Sequence, residues 1–401
     1  MRFADNRNKI GKYIPAVVFL IFIYGMALWF IFSPKPDYSS SEKRYLQKFP
    51  EVTAEKLLSG DFGSEFETFF ADRFPQRNTW VGLNAYTALA EGNNGASGVY
   101  NCKNGYLINK PVSTENNLDK NIGAVADFAK SIDTPTTVML VPSTGYIVDD
   151  VLPTFHDKYN DDEDISKISS TLSKDKIGFV DLRERFKSEY KNGSQLYYKT
   201  DHHWTTKGAY TGYQELCKAL GITPIDDSTL KKDSYPDFYG TTYSSSGFWL
   251  TPPDNIEIWN NPKNSDRNIS VKITEGANIK TSGSMYFTDH LKEDDKYPVF
   301  IDGNHALTEI TNTNAKNGTI LLIKDSFSHS LAPFLAENYS KVVLVDLRYY
   351  KESVSDLVTT YNPEQVVVLY GIDNLATDTD IVWLKYCLLY TSPSPRDPKT
   401  S

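Results

Sequence analysis

An α/β fold built on a parallel sheet between two helix layers follows from three observations. The runs at 137–141, 319–323, 342–345 and 366–369 are apolar along their length, as strands buried on both faces are. Segments with apolar residues at helical spacing separate them, which favours parallel pairing through helical crossovers. Polar groups that carry chemistry, Asp325-Ser326 and Gly371-Ile372-Asp373-Asn374, fall just past two of these runs, where open α/β sheets place their ligands.

In chain order, residues 14–32 carry no charge and would span about 28 Å as a helix, close to the hydrocarbon thickness of a bilayer. Pro15 falls in the first turn, where it is tolerated. Arg2, Arg7, Lys9 and Lys12 precede the run against Asp5 alone, which puts the N-terminus in the cytoplasm and the rest outside the cell. A cleaved signal peptide is the rival. The run is long for one and no small-x-small cleavage site follows it, so the expectation is a cytoplasmic tail (1–12) and an uncleaved anchor (13–32).

A Pro/Ser-rich linker over 33–41 leads to Phe62, Phe66, Phe69, Phe70 and Phe74, an amphipathic helical stripe that ends at Pro75. A second helical segment covers 80–90, and Lys103-Asn104-Gly105 between two apolar triplets signals a hairpin. Residues 33–110 thus form a linker with helical and hairpin segments. Leu118, Ile122, Val125 and Phe128 then mark a helix before the 137–141 strand. Ile165, Ile168 and Leu172 mark another before a strand at 178–181. Thr205 or Thr206 caps a helix carrying Ala209, Tyr213, Leu216 and Leu220, and Gly221 ends it. Residues 226–305 are rich in Ser, Asn, Asp, Pro and Tyr and read as an irregular or β-rich insertion between the two parts of the α/β domain, 111–225 and 306–386. Residues 387–401, beginning Cys387-Leu388-Leu389-Tyr390, resemble a translated sequencing adapter and are set aside.

Net charge is −9 and no Lys/Arg face is evident, which argues against a nucleic-acid partner. The 26 tyrosines suit dense packing and equally a surface that stacks sugar rings. Cys102 and Cys217 stand in separate segments without metal-ligand spacing, and a chain of this size needs no disulfide framework outside the cell. No metal or other cofactor is expected.

The chemistry concentrates in Asp201-His202-His203-Trp204 and Lys324-Asp325-Ser326-Phe327-Ser328. A serine hydroxyl needs a base within hydrogen-bond reach, and the base needs a group to orient it. Residues two apart face the same way in extended or loop backbone, so Asp201 can fix the imidazole of His203, and His203 can take the Ser326 proton. Backbone N–H groups at the strand-to-helix turn can hold an oxyanion. Other readings compete. Asp325 or Ser326 can be a plain helix cap. Asp201 with the histidines can bind a metal, although His156 and His329 lie in unrelated segments and no third ligand stands out. His202 can replace His203 as base, and Trp204 can be a packing anchor. The motif is not Asp-His-His-Cys, because tryptophan stands where that signature has its cysteine.

The chain resembles the DHHW protein family over about residues 41–384. The resemblance is carried by Glu42-Lys43-Arg44-Tyr45-Leu46, Phe70-Ala71-Asp72-Arg73-Phe74-Pro75, Thr200 to Trp204 with Gly208-Ala209-Tyr210, Phe238-Tyr239-Gly240-Thr241, Lys324-Asp325-Ser326-Phe327 and Asp346-Leu347-Arg348-Tyr349-Tyr350. That family is in turn similar to the SGNH-like periplasmic alginate O-acetyltransferases. The resemblance implies an SGNH hydrolase-like three-layer α/β/α fold with permuted motif order, Asp201 as orienting acid, His203 as base and Ser326 as nucleophile. It also implies Asn374 as an oxyanion-hole candidate, although Gly371-Ile372-Asp373-Asn374 sets the asparagine one place later than the Gly-x-Asn-Asp block. Tyr146, Arg348, Tyr349 and Trp204 are candidate substrate contacts. The expected activity is O-acetyl transfer to, or ester hydrolysis on, an exopolysaccharide or cell-wall glycan, with a membrane acyl-transporting partner implied by the transferases. A non-catalytic glycan-binding scaffold on the same fold is the alternative.

Overall fold

The structure, a computed structural model, describes residues 2–112 and 117–386, the side chains of 2–12 and 386 excepted. The adapter-like tail, 387–401, lies outside the described residues. The chain divides into two units, Met1–Ala90 and Glu91–Ser401.

The first unit opens with a helix, Arg2–Phe32. Its Tyr13–Phe32 stretch has a mean hydropathy of 2.4 and is long and apolar enough to cross a membrane. Helices Ala54–Ser59, Asp61–Asp72 and Arg77–Ala90 follow. Phe62, Phe66, Phe69 and Phe70 of the expected stripe lie on the second of these, which ends at Asp72, before Phe74. Gly60, at φ +86°, turns the chain between the first two, in a conformation that favours glycine.

The second unit is built on an eight-stranded sheet: β1 (Thr136–Val141), β2 (Gly178–Asp181), β3 (Ile269–Glu275), β4 (Asn278–Ser282), β5 (Leu307–Asn312), β6 (Asn317–Lys324), β7 (Tyr339–Val345) and β8 (Gln365–Gly371). Their order is β4-β3-β5-β7-β6-β8-β1-β2. From β7 to β2 every pair is parallel, with Leu322 of β6 facing Leu344 of β7 and Val367 of β8. From β4 to β7 the pairing is antiparallel.

The apolar runs are apolar throughout because each face meets its own helix layer. Ile320, Leu322, Val367, Leu369, Met139 and Val141 pack toward Ala209, Tyr213, Leu331 and Phe334. The alternate residues Leu321, Ile323, Val366, Val368, Val138 and Leu140 pack toward Ile122, Phe128, Ile168 and Leu357. This is the three-layer α/β/α arrangement expected. The helix Thr206–Leu220 is capped by Thr205, whose hydroxyl accepts the Gly208 N–H, and closed by Gly221 at φ +68°.

Residues 226–305 are β-rich and do more than decorate. Lys231–Phe238 pairs with Asp254–Asn260, and β3 and β4 extend the main sheet. The expected hairpin forms between Val99–Asn101 and Leu107–Asn109, within the second unit.

At the carboxyl end of β6, Lys324 is fully buried, its ammonium 2.9 Å from Asp346 and 2.8 Å from His329 Nε2. Burial pushes the Lys324 ammonium below its ordinary range and Asp346 opposes that shift. Removing one partner of such a pair strands the other charge. Asp346→Ala is expected to lower stability by about 3–5 kcal/mol in urea denaturation.

Candidate active site

The loop between residues 196 and 205 is fixed at both ends before it carries any chemistry. Tyr198 N–H donates to the His203 carbonyl and Thr205 N–H to the Leu196 carbonyl. Buried Asp254, from the segment after the loop, receives the N–H groups of Lys199 and Thr200 at 3.1 and 2.8 Å and the Thr200 hydroxyl at 2.7 Å. Trp204, expected as a substrate contact, is instead fully buried. Its Nε1–H donates to the Phe327 carbonyl at 3.0 Å and to Ser330 Oγ at 2.9 Å, so it locks this loop to the turn after β6.

That locking brings the two motifs together. His203 Nδ1–H donates to Asp201 Oδ1 at 2.5 Å, and Ser326 Oγ–H donates to His203 Nε2 at 2.7 Å. All three residues are buried. Asp201 Oδ1 also accepts the His203 N–H at 2.8 Å; Oδ2 accepts the N–H and hydroxyl of Thr241 at 2.7 and 3.1 Å. Burial alone would raise the Asp201 carboxyl. The imidazoles of His203 and His202 and the Thr241 N–H outweigh it and hold the group well below the usual range, so it stays ionised. Tyr297 stacks on the other side of His203, centroids 4.0 Å apart and planes 12° from parallel, and its hydroxyl donates to the Ser326 carbonyl at 3.3 Å. The imidazole can neither flip nor tilt without breaking these contacts.

His202 does not reach Ser326. Its Nδ1 meets the Thr241 hydroxyl at 2.5 Å, and burial together with the neighbouring His203 pushes its pKa down to about 4. It is a neutral group on the wall of the cleft. Asp201, His202 and His203 offer ligand atoms close enough for one metal ion. Those of Asp201 and His203 are engaged by each other, by Ser326 and by Thr241, a donor set that suits proton transfer rather than coordination.

Ser326 is not a helix cap. The helix starts at Ser328, and it is Asp325 that shapes the turn, accepting the Phe327 N–H at 2.9 Å. The other Asp325 oxygen takes the Gly371 N–H and the Asn374 amide, each at 2.7 Å. Asn374 therefore stands beside the serine turn and lines the cleft with one amide N–H committed to Asp325. The amides of Phe327, Ser328 and His329 are engaged within the turn, which removes them from the set expected to hold an oxyanion.

The remaining expected contacts separate. Tyr146 is buried away from the cleft lining and its hydroxyl donates to Asp162. Arg348 is tied to Asp346 by Nε and Nη2 at 2.9 and 2.6 Å and to Asn304 at 2.8 Å. Tyr349 is exposed, with the Arg348 guanidinium 5.5 Å from its ring. The cleft itself runs past His202, Phe327 and Asn374 to Ser143, Tyr159 and Asp373. Sequence reasoning gave no role to Thr241 or Tyr297 and offered Asp325 only as a helix cap. Thr241 and Asp325 sit inside motifs already singled out; Tyr297, alone in a polar stretch, carried no signal.

A family model described as DHHW protein matches residues 112–345. Among solved structures, a DHHW family protein from Eubacterium siraeum is similar at a TM-score of 0.60 and 17% identity, covering 73% of this chain and 96% of its own. Bacillus cereus PatB1, solved with a sulfonyl adduct, is similar at 0.58 and 20%, covering 71% and 96%. The O-acetyltransferase domain of Pseudomonas putida AlgJ aligns at 0.47 and 14%, covering 73% and 99%. At these identities the likeness is one of fold. No curated protein matches.

Two outcomes follow from the geometry. A Cβ on Gly240 would stand 2.1 Å from Asp201 Cβ and 2.6 Å from its Cα, so Gly240→Ala is expected to destabilise by about 1–3 kcal/mol in thermal unfolding. The second concerns Asp373, which accepts the Ser143 hydroxyl at 3.1 Å, while Asp161 accepts the Ser143 N–H at 2.7 Å. Burial, then the charge of Asp161, pushes Asp373 up to about 7. The folded chain thus holds a proton that the unfolded chain has released, and stability falls as pH rises toward that value. Asp373→Asn should flatten the slope between pH 5 and pH 8 and stabilise the fold at the upper end by at least about 1 kcal/mol in thermal unfolding.

Proposed function

We propose that this chain, which belongs to the DHHW protein family, is a membrane-anchored, exported serine O-acyltransferase or esterase acting on a polysaccharide or cell-wall glycan. The observation that carries the proposal is the unbroken line from Asp201 Oδ1 through the His203 ring to Ser326 Oγ.

The steps follow from that line. Ser326 Oγ attacks an acetyl-ester carbonyl while its proton passes to His203 Nε2, and the carbonyl opens to a tetrahedral oxyanion. Asp201 stabilises the imidazolium that forms. The intermediate collapses, the leaving alcohol takes the proton from His203, and the acyl group stays on Ser326. A sugar hydroxyl or water then gives its proton to His203 and attacks the acyl carbonyl; Ser326 departs and recovers its proton. The Ser326 N–H and the second N–H of the Asn374 amide are the donors we assign to the oxyanion. His202, held neutral, is placed to exchange hydrogen bonds with a sugar hydroxyl. Tyr349 beside Arg348 remains the stacking candidate.

Retention of the apolar helix as an anchor is favoured by its packing. Phe30, near its end, lies against Phe69 and Phe70 of the same unit, which ties the end of the helix to the chain that follows, while the rest of the span is exposed as a lipid-facing helix would be. A transferase anchored in this way calls for a membrane partner that delivers the acyl group.

A sulfonyl adduct on PatB1, a protein of this fold, commends a sulfonyl fluoride as probe. Ser326→Ala is expected to abolish labelling and to lower ester turnover by about 10⁴-fold or more, and His203→Ala to do the same to turnover. Full turnover by both variants would take the chemistry away from this triad, and an unsubstituted chain that neither labels nor turns over ester would leave a glycan-binding scaffold in place of an enzyme.

A further inference from the structure

The motifs around Arg44 and Asp72 take no part in the triad. Both lie in the first unit, where they make one clamp. Asp72 is buried and holds Arg44 in two parallel bonds of 2.9 and 2.6 Å; it also accepts the Gln47 N–H at 2.9 Å. Arg73 is buried beside it. Its guanidinium donates to the carbonyls of Lys35, Pro36 and Gln47 at 2.7, 2.8 and 2.9 Å and to Asp37 at 3.0 Å. Charge-assisted, partly bidentate bonds of this kind are directional. Together they bind the chain that leaves the apolar helix to the helix Asp61–Asp72.

An aromatic cluster runs along the same joint. Phe30 meets Phe70 at 4.7 Å and Phe69 at 6.2 Å. Phe69 meets Phe49 at 5.4 Å and Phe66 at 6.2 Å. A buried core would hide these rings. Yet Phe49 is 58% exposed, Phe70 42% and Phe66 39%. The apolar stretch Tyr13–Phe32 has 20 residues, about 30 Å of helix, which matches one hydrocarbon core. Phe30 is two residues from its end, about 3 Å inside that boundary. Phe69 and Phe70, packed directly on Phe30, therefore sit at the level of the acyl-chain and headgroup border, where aromatic side chains gather and apolar helix faces lodge, and Phe49 and Phe66 adjoin them through Phe69.

We infer that Phe49, Phe66, Phe69 and Phe70 form a wedge embedded in the outer-leaflet interface, held at that depth by the Asp72 and Arg73 clamp. The occupant of this face is lipid, because the face is continuous with the surface of the membrane-crossing helix. The inference rests on the anchor reading given above.

The test uses the full chain in vesicles of phosphatidylcholine and phosphatidylglycerol. Cys387→Ser removes the tail thiol. Cys102 and Cys217 are buried with thiols pushed up to about 12, so they resist labelling. A nitrobenzoxadiazole dye is placed at Phe66→Cys, Phe70→Cys or Phe22→Cys and quenched by nitroxide lipids carrying the spin label near the headgroup or near the chain end. Dyes at 66 and 70 should be quenched about two-fold or more by the shallow label and less by the deep one, and the dye at 22 the reverse. Quenching at 22 with none at 66 and 70 would overturn the wedge and leave the anchor standing. No quenching at 22 would overturn the anchor, and the wedge with it. Should the Phe70 variant not fold, position 66 decides.

Discussion

Asp325 is buried and its carboxylate is met by protein donors: one oxygen takes the Phe327 N–H, the other the Gly371 N–H and the Asn374 amide. Burial pushes its carboxyl up, and those three donors oppose the shift. The arrangement is demanding because the donors come from the chain at and just past the ends of two neighbouring parallel strands, β6 and β8. A carboxylate bridging two strand ends sets where the turn after β6 begins. It thereby sets where the Ser326 hydroxyl stands relative to the sheet. The site depends on the sheet through this one group.

The imidazole has to arrive at that hydroxyl from a loop more than a hundred positions earlier. Trp204 provides the link. Its indole N–H reaches the Phe327 carbonyl, one residue past the serine, so the histidine loop and the serine turn share a hydrogen bond besides the one between His203 and Ser326. The bond His203 Nε2–Ser326 Oγ is thus a consequence of a rigid frame. Tyr297 and Thr241 complete the frame from the opposite side, one stacked on the ring and the other bonded to the orienting carboxylate.

The central strands and the helices around them were legible because each face of the sheet is covered, which leaves an apolar mark at every position. The meeting of Asp201, His203 and Ser326 was legible because their side chains are distinctive and their motifs short. β3 was missed although Ile269, Val271 and Ile273 alternate, since the polar residues around them masked a period of two. Tyr297 was illegible for another reason. Its role arises from where a long polar segment returns to the core, and no local pattern encodes that. Trp204 was open to two readings in sequence, and burial decides for packing.

Composition set residues 226–305 apart as an insertion, yet that segment supplies Thr241, Tyr297 and Asp254 to the site, and two strands to the sheet. The physical reason lies in the orienting carboxylate. Asp201 is buried, and an ionised carboxylate with only the imidazole as partner would lose more by desolvation than one N–H returns. The Thr241 N–H and hydroxyl make up that deficit on the far oxygen, and Gly240 allows the close approach by lacking a side chain. An imidazole held by a buried carboxylate therefore calls for a second stretch of chain behind that carboxylate. In this molecule the polar, Ser- and Tyr-rich segment is the part that provides it, and the boundary of the candidate site runs through it rather than around it.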